Sequence, residues 1–224
     1  MNHRWRAAAV LLALAGTALP AAAQVRGIPV YNSGVPRGIG LYGDVGLAND
    51  EAGGGTGYGL TGKAGFGPLG VAAQISTSKP DGGDSDISLG ASLNYRLLGG
   101  PLVPLAVTLQ AGAGWIKAQG ADLLVLPPPD VTTWHFPVGV GFALTIPNPV
   151  LAVRPWLAPR LDIVRSSVGG DSQTDTNFGL SGGLEFNFLN GLGLHAAYDV
   201  VFADGGKPGI FGLGAHYTFR TPGL

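Results

Sequence analysis

The sequence predicts an all-β chain: a closed, antiparallel, up-and-down β-barrel of about ten strands that spans a membrane, with eight strands as the second choice. Three observations predict it. Apolar residues alternate with polar or small ones at period two in segment after segment. Beyond the first two dozen residues, no stretch carries the i, i+3, i+4 apolar spacing of an amphipathic helix over three turns. The composition is that of neither a soluble enzyme nor a disordered chain: 39 Gly, 17 Pro, 46% hydrophobic residues and 12% charged ones, against about 25% charge in average soluble domains.

The elements follow in order. Met1–Arg6 carries Arg4 and Arg6 with no acid, Ala7–Leu19 is an apolar run, and Pro20 and Ala21-Ala22-Ala23 precede Gln24. Basic start, short apolar centre and small-residue end make residues 1–23 a secretory signal peptide, too short for the roughly 20 apolar residues of a membrane-spanning helix. Residues 24–38, with Arg26, Pro29, Tyr31, Pro36 and Arg37, precede the first strand. They either hang in the periplasm or plug the barrel, and the periplasm is expected, because termini stay disordered unless tied down. The barrel itself is expected over 39–219. Its clearest strands place Ile87, Leu89, Ala91, Leu93, Tyr95 and Leu97 on one face, and Phe178, Leu180, Gly182, Leu184, Phe186 and Phe188 on one face. Similar alternation covers 39–47, 57–66, 69–78, 104–118, 132–146, 153–166, 192–202 and 209–219. Most reach the roughly 9–11 residues with which a tilted strand crosses a bilayer. Residues 220–224 form a short tail.

Long and short connections alternate. Leu47–Thr56, Lys79–Asp84, Gln119–Val131, Ser167–Thr176 and Ala203–Pro208 are mostly long or polar, whereas Gly67-Pro68, Leu98–Pro101, Pro147–Pro149 and Leu189–Gly191 are short. Short turns at one end and longer loops at the other are the layout of outer-membrane barrels. On this rhythm, the alternation and the aromatic pair Tyr217 and Phe219 near the C-terminus, residues 39–219 resemble the small bacterial outer-membrane β-barrel proteins, the broad OmpA-like and OmpW-like class. The resemblance implies residence in the bacterial outer membrane, contact with its lipid and with the assembly machinery, and a monomer.

Charge placement tests this frame independently, because a charge facing lipid near the midplane costs about 2–4 kcal/mol. Ten of the 14 acids fall in or beside the expected outer loops. The other four, Asp44, Asp162, Glu185 and Asp199, take the inward parity of their strands, as do the bases Lys63, Arg96, Arg154 and Arg160. These eight are expected to form a lumenal ion-pair network that stabilises the barrel and narrows any channel, with His195 and His216 as lumenal hydrogen-bonding residues. Lys117 and Arg165 face outward only at strand ends, where long side chains reach the interface. Trp134 and Phe136 at one rim, and Phe66, Tyr95, Tyr217 and Phe219 at the other, suit interfacial girdles. Pro137, Pro155 and Pro159 fall inside strands, where bulges or frayed ends are expected because each withholds a ladder donor.

Two motif matches lose to their context. Gly57–Gly62 fits GxGxxG and leads to Lys63, but a nucleotide loop must open a helix, and alternation runs straight through it. Gly179–Gly183 fits GxSxG around Ser181, with Asp199 and His216 downstream, yet a nucleophile elbow needs a strand-to-helix turn. No catalytic residue is assigned. His195, His216 and Asp199 are too few for a supported metal site, so neither metal nor cofactor is expected. Zero Cys excludes a disulfide scaffold and a thiol nucleophile, and a net charge of -1 argues against nucleic acid. Many glycines, among them Gly46, Gly57, Gly90, Gly112, Gly114, Gly141 and Gly212, take the inward parity. Since about eight strands already suffice for side chains to fill a barrel, some open lumen is expected unless a plug fills it. The expected function is structural, narrow-pore or small-ligand-binding, with a barrel hydrolase or a secreted soluble ligand-binding barrel as alternatives.

Overall fold

The computed structural model describes residues 24–100, 103–119, 130–168 and 170–219. The expected signal peptide and C-terminal tail lie outside the described residues, as does most of the loop at 119–131. The strands are β1 (Ile39–Ala48), β2 (Thr56–Phe66), β3 (Leu69–Lys79), β4 (Asp86–Gly100), β5 (Val103–Gln119), β6 (Asp130–Leu144), the two-residue β7 (Ile146–Pro147), β8 (Leu151–Val168), β9 (Asp171–Phe188), β10 (Leu192–Phe202) and β11 (Gly209–Phe219). Ten of them are long. Each long strand pairs antiparallel with the next, β6 with β8, and β1 pairs with β11. The ten-strand sheet therefore closes on itself and leaves no long edge. Among the described residues, no helix is long and apolar enough to cross a membrane. The first long loop carries a 3-10 turn, Asp50–Ala52, capped by Asn49, whose Oδ1 accepts from the Ala52 N–H at 2.8 Å.

The two faces separate as the period-two pattern requires. Along β1, Ile39, Leu41, Gly43, Val45 and Leu47 are exposed, while Gly40, Tyr42, Asp44 and Gly46 are buried. Leu93, Val138, Leu161, Leu194 and Leu213 are likewise exposed. Lys79, Lys117 and Arg165, the exposed bases within strands, sit at or near strand ends, so the middle of the outer face carries no charge among the described residues. Trp134 stacks on Phe136 with centroids 6.2 Å apart, and Tyr217 meets Phe219 edge-on at 4.7 Å.

Two expectations are corrected. The three prolines cause no bulge. β8 keeps one register with β9 from Leu151↔Phe188 to Val168↔Asp171, through Pro155 and Pro159. The cost falls on one side only: pairing lapses beside Pro137 towards β5 and beside Pro159 towards β6, then resumes in the same register. Pairing towards β8 also lapses where Pro155 stands opposite Leu144, the last residue of β6, next to the break at Thr145 that separates β7 from β6. In an antiparallel sheet, a residue's N–H serves only one neighbour, so its loss leaves the other ladder intact. The bulge-like irregularity lies instead between Arg96 and Gly100, with Gly99 at φ 111°. The second correction concerns Ser167–Thr176, expected as a loop: β8 and β9 run through it almost to the hairpin tip. Beyond the bilayer both faces of a hairpin meet water, so alternation vanishes from the sequence although the backbone groups still pair.

Candidate functional site

The segment before β1 occupies the lumen. Gln24, Val25, Ile28, Val30, Asn32, Ser33 and Val35 are all buried; the periplasmic position expected for this segment is not the one observed. The reason is that it is tied down. Entering at the short-turn end, where the Gly65 N–H donates to the Gly38 carbonyl at 2.9 Å, the chain climbs to the long-loop end. There Arg26 pairs with Asp86 at the start of β4, and the Ser76 hydroxyl donates to the Arg26 carbonyl at 3.0 Å. An isolated bridge, Val25↔Ile28, turns it back, and the Gln24 amide donates to the carbonyls of Ala91 and Ala113.

Lumenal glycines make the room. A Cβ on Gly46 would stand 1.8 Å from the Gly27 carbonyl oxygen, one on Gly65 1.9 Å from that of Pro36, and one on Gly114 1.7 Å from that of Gln24. Ile28 fills the space over Gly59, Asn32 that over Gly141, and Pro29 that over Gly212. Of the two outcomes the glycines left open, an open lumen or a plugged one, the structure has the second: the space exists, and residues 24–36 fill it.

The lumenal charges form two clusters and not one network. In the cluster nearer the long-loop end, Arg160 on β8 lies 2.8 Å from the Asp199 carboxylate and 2.9 Å from Asp162. Its Nη1 donates to the Ser181 hydroxyl at 2.5 Å, and Ser181 donates onward to Asp199 Oδ1 at 3.2 Å. His135 on β6 sits 2.9 Å from Asp162. Asp162, Asp199 and Ser181 have no solvent exposure. The other oxygen of Asp199 accepts from the plug, the Val30 N–H at 2.9 Å.

Nearer the short-turn end, Asp44 lies 2.6 Å from His195 Nε2, the Nδ1 atoms of His195 and His216 are 3.1 Å apart, and His216 Nε2 is 3.0 Å from Asn187 Oδ1. Tyr42 stacks on His216 at 4.6 Å, and Tyr31 of the plug meets His195 edge-on at 5.0 Å. Glu185 accepts from the plug hydroxyl of Ser33 at 2.5 Å and lies 3.9 Å from Arg154. Lys63 rests over the Tyr42 ring, 4.0 Å from its centroid. Arg96 belongs to neither cluster: it is half-buried at the rim, donating to the Gly67 carbonyl at 2.7 Å, because it adjoins the irregular end of β4.

The GxSxG match builds no triad. Ser181 pairs in register with Asp199, which pairs with Ile210, six residues along β11 from His216. That is roughly 20 Å at the strand rise. The strand β2 runs unbroken through Gly57–Lys63, as its alternation requires.

Below the second cluster, a cavity of about 340 Å³ opens at the short-turn end, walled by plug residues Ser33–Arg37 and by Lys63, Arg96, Arg154, Glu185 and Asn187. At the other end the gap beside Arg26 and Gly27 holds about 10 Å³, room for a single water at most. Sequence reasoning missed the plug contacts Arg26, Val30 and Ser33, and His135. The available signal was a row of inward glycines on neighbouring strands, Gly212, Gly46 and Gly57, which the register sets side by side.

Comparison with known proteins places this architecture. The model of the outer membrane protein beta-barrel domain family matches residues 9–219. Among solved structures, the chain is similar to the beta domain of the Bordetella autotransporter BrkA, at 15% identity and TM-score 0.51, covering 81% of this chain and 98% of that one. It also matches the N-terminal β-barrel domain of Pseudomonas aeruginosa OprF (14% identity, TM-score 0.39, 81% and 96% covered) and Ail of Yersinia pestis (17%, 0.37, 82% and 100%). No curated protein sequence matches.

Proposed function

The chain belongs to the outer membrane protein beta-barrel domain family, and from that premise we propose that it works as a sealed barrel, with a structural and small-ligand-binding role, and not as an open pore. The single observation that carries this reading is the plug: residues 24–36 run the length of the lumen, fixed to its wall by Arg26, Val30 and Ser33. The outward apolar face meets outer-membrane lipid, and because one chain closes the sheet, the protein needs no second copy to cover an edge. The assembly machinery inserts it as it does other barrels.

The test is planar-bilayer conductance of purified protein whose folding is verified by heat-modifiable gel migration. The folded wild type is expected to pass no steady current. A steady ohmic current through it would overturn the sealed-barrel reading.

A further inference from the structure

The cavity at the short-turn end is chemically lopsided. Four bases line it, Arg37, Lys63, Arg96 and Arg154, against the one carboxylate of Glu185. Among the described residues, Lys63, Arg37 and Arg96 make no ion pair, and Arg154 lies 3.9 Å from Glu185, a distance beyond a good hydrogen bond. The Arg154 Nε is buried with no hydrogen-bond partner. Lys63, which has three donors to place, is met by the faces of Tyr42 and Tyr31, a contact that leaves its N–H groups free for an acceptor. Most of the acids lie at the opposite end of the barrel, in the long loops and the strand ends beside them.

A concave, half-buried space with surplus positive charge focuses potential and raises the local concentration of anions. Arginine forks suit the paired oxygens of phosphate or carboxylate. The volume lies at the small end of the range for ligand pockets, about 300–1,000 Å³, and the wall mixes these bases with Asn187, Thr218 and apolar residues. We propose that this vestibule binds a small multivalent oxyanion, bearing phosphate or carboxylate groups, that enters from the periplasm. Lys63 and Arg154 hold its charge, and Asn187 supplies a neutral polar contact. The site rests on the sealed-barrel reading, because the seated plug forms one wall.

The test is isothermal titration calorimetry of the folded, detergent-solubilised protein at low salt, with pyrophosphate and citrate as probes and glucose as the uncharged control. Saturable binding of either anion and none of glucose is expected; binding of pyrophosphate alone identifies a phosphate ligand, and of citrate alone a carboxylate. Lys63→Gln and Arg154→Gln each weaken binding about tenfold, as loss of one charge-assisted contact does, while Lys79→Gln at the opposite end leaves it unchanged. If Lys63→Gln does not fold, Arg37→Gln at the exposed mouth replaces it and weakens binding in the same direction. A non-conducting wild type that binds neither anion, or an equal loss in Lys79→Gln, overturns the site alone. A conducting wild type overturns the sealed barrel, whatever the calorimeter reads.

Discussion

Asp199→Asn is the change that unhooks the plug while sparing the barrel. Three groups converge on this buried carboxylate: the Val30 N–H donates to Oδ2, the Ser181 hydroxyl donates to Oδ1, and the Arg160 guanidinium forms an ion pair with Oδ1 at 2.8 Å. Asparagine has one acceptor oxygen and one donor group. With its oxygen turned to Arg160 and Ser181, the two wall contacts, its NH₂ confronts the Val30 N–H. The plug then loses a hydrogen bond to a charged group, worth about 1.5–3 kcal/mol. At about 1.4 kcal/mol per decade, the undocked fraction rises roughly 10- to 100-fold. The barrel ladders are untouched, and Arg160 keeps Asp162 at 2.9 Å. The assay is limited trypsin digestion of the folded protein in detergent. Cleavage after Arg26, which is held against Asp86 in the wild type, should accelerate by that factor, and cleavage after the already exposed Arg37 should change much less. An unchanged rate after Arg26 in a folded variant refutes the claim that Asp199 anchors the plug.

Three further changes probe other parts of the structure. Gly46→Val puts a Cβ where the Gly27 carbonyl oxygen stands 1.8 Å away, so the plug must leave that level; intermittent bilayer currents should appear with heat-modifiable migration retained. Ile28→Ala empties a fully packed position over Gly59, and a loss of about 2–5 kcal/mol should register as faster trypsin cleavage and not as a lower barrel unfolding midpoint. Val138→Arg, mid-strand on the outward face, should cost about 2–4 kcal/mol in urea-dependent folding into lipid vesicles, while Asp175→Arg, on the protruding β8–β9 hairpin, should cost almost nothing.

The strands were legible because lipid on one side and a packed lumen on the other impose period two on every crossing, and the boundaries expected at 69–78, 192–202 and 209–219 differ from the structure by a residue at most. Where both faces meet water, as at Ser167–Thr176, the pattern disappears from the sequence although the strands continue. The inward positions of Asp44, Lys63, Arg154, Arg160, Asp162, Glu185 and Asp199 were legible for the same reason. Their partners were not. Parity tells which way a side chain points but not its height, and height depends on register: Ser181 and His216 share a parity and stand roughly 20 Å apart. The plug was hidden because residues 24–36 have no period, each pointing wherever the lumen leaves space.

The plug also changes what the lumenal charges are for. A segment with no regular secondary structure carries N–H and C=O groups that no neighbouring strand satisfies, and burying them unpaired is costly. The wall meets that need at specific heights: Asp86 for the Arg26 side chain, Ser76 for its carbonyl, Asp199 for the Val30 N–H and Glu185 for the Ser33 hydroxyl. Struts across an empty barrel would pair acid with base. Arg160 does so with Asp162 and Asp199, but nearer the short-turn end Asp44 pairs with His195, Glu185 stands 3.9 Å from Arg154, and Lys63 lies on a tyrosine ring. At that end Glu185 follows the plug more closely than it follows a base, and the bases left over line the cavity where the plug ends. Sealing the barrel and charging its short-turn mouth are therefore linked through one carboxylate: Glu185, engaged by Ser33 of the guest segment, stands back from Arg154, and the proposed anion takes its place there.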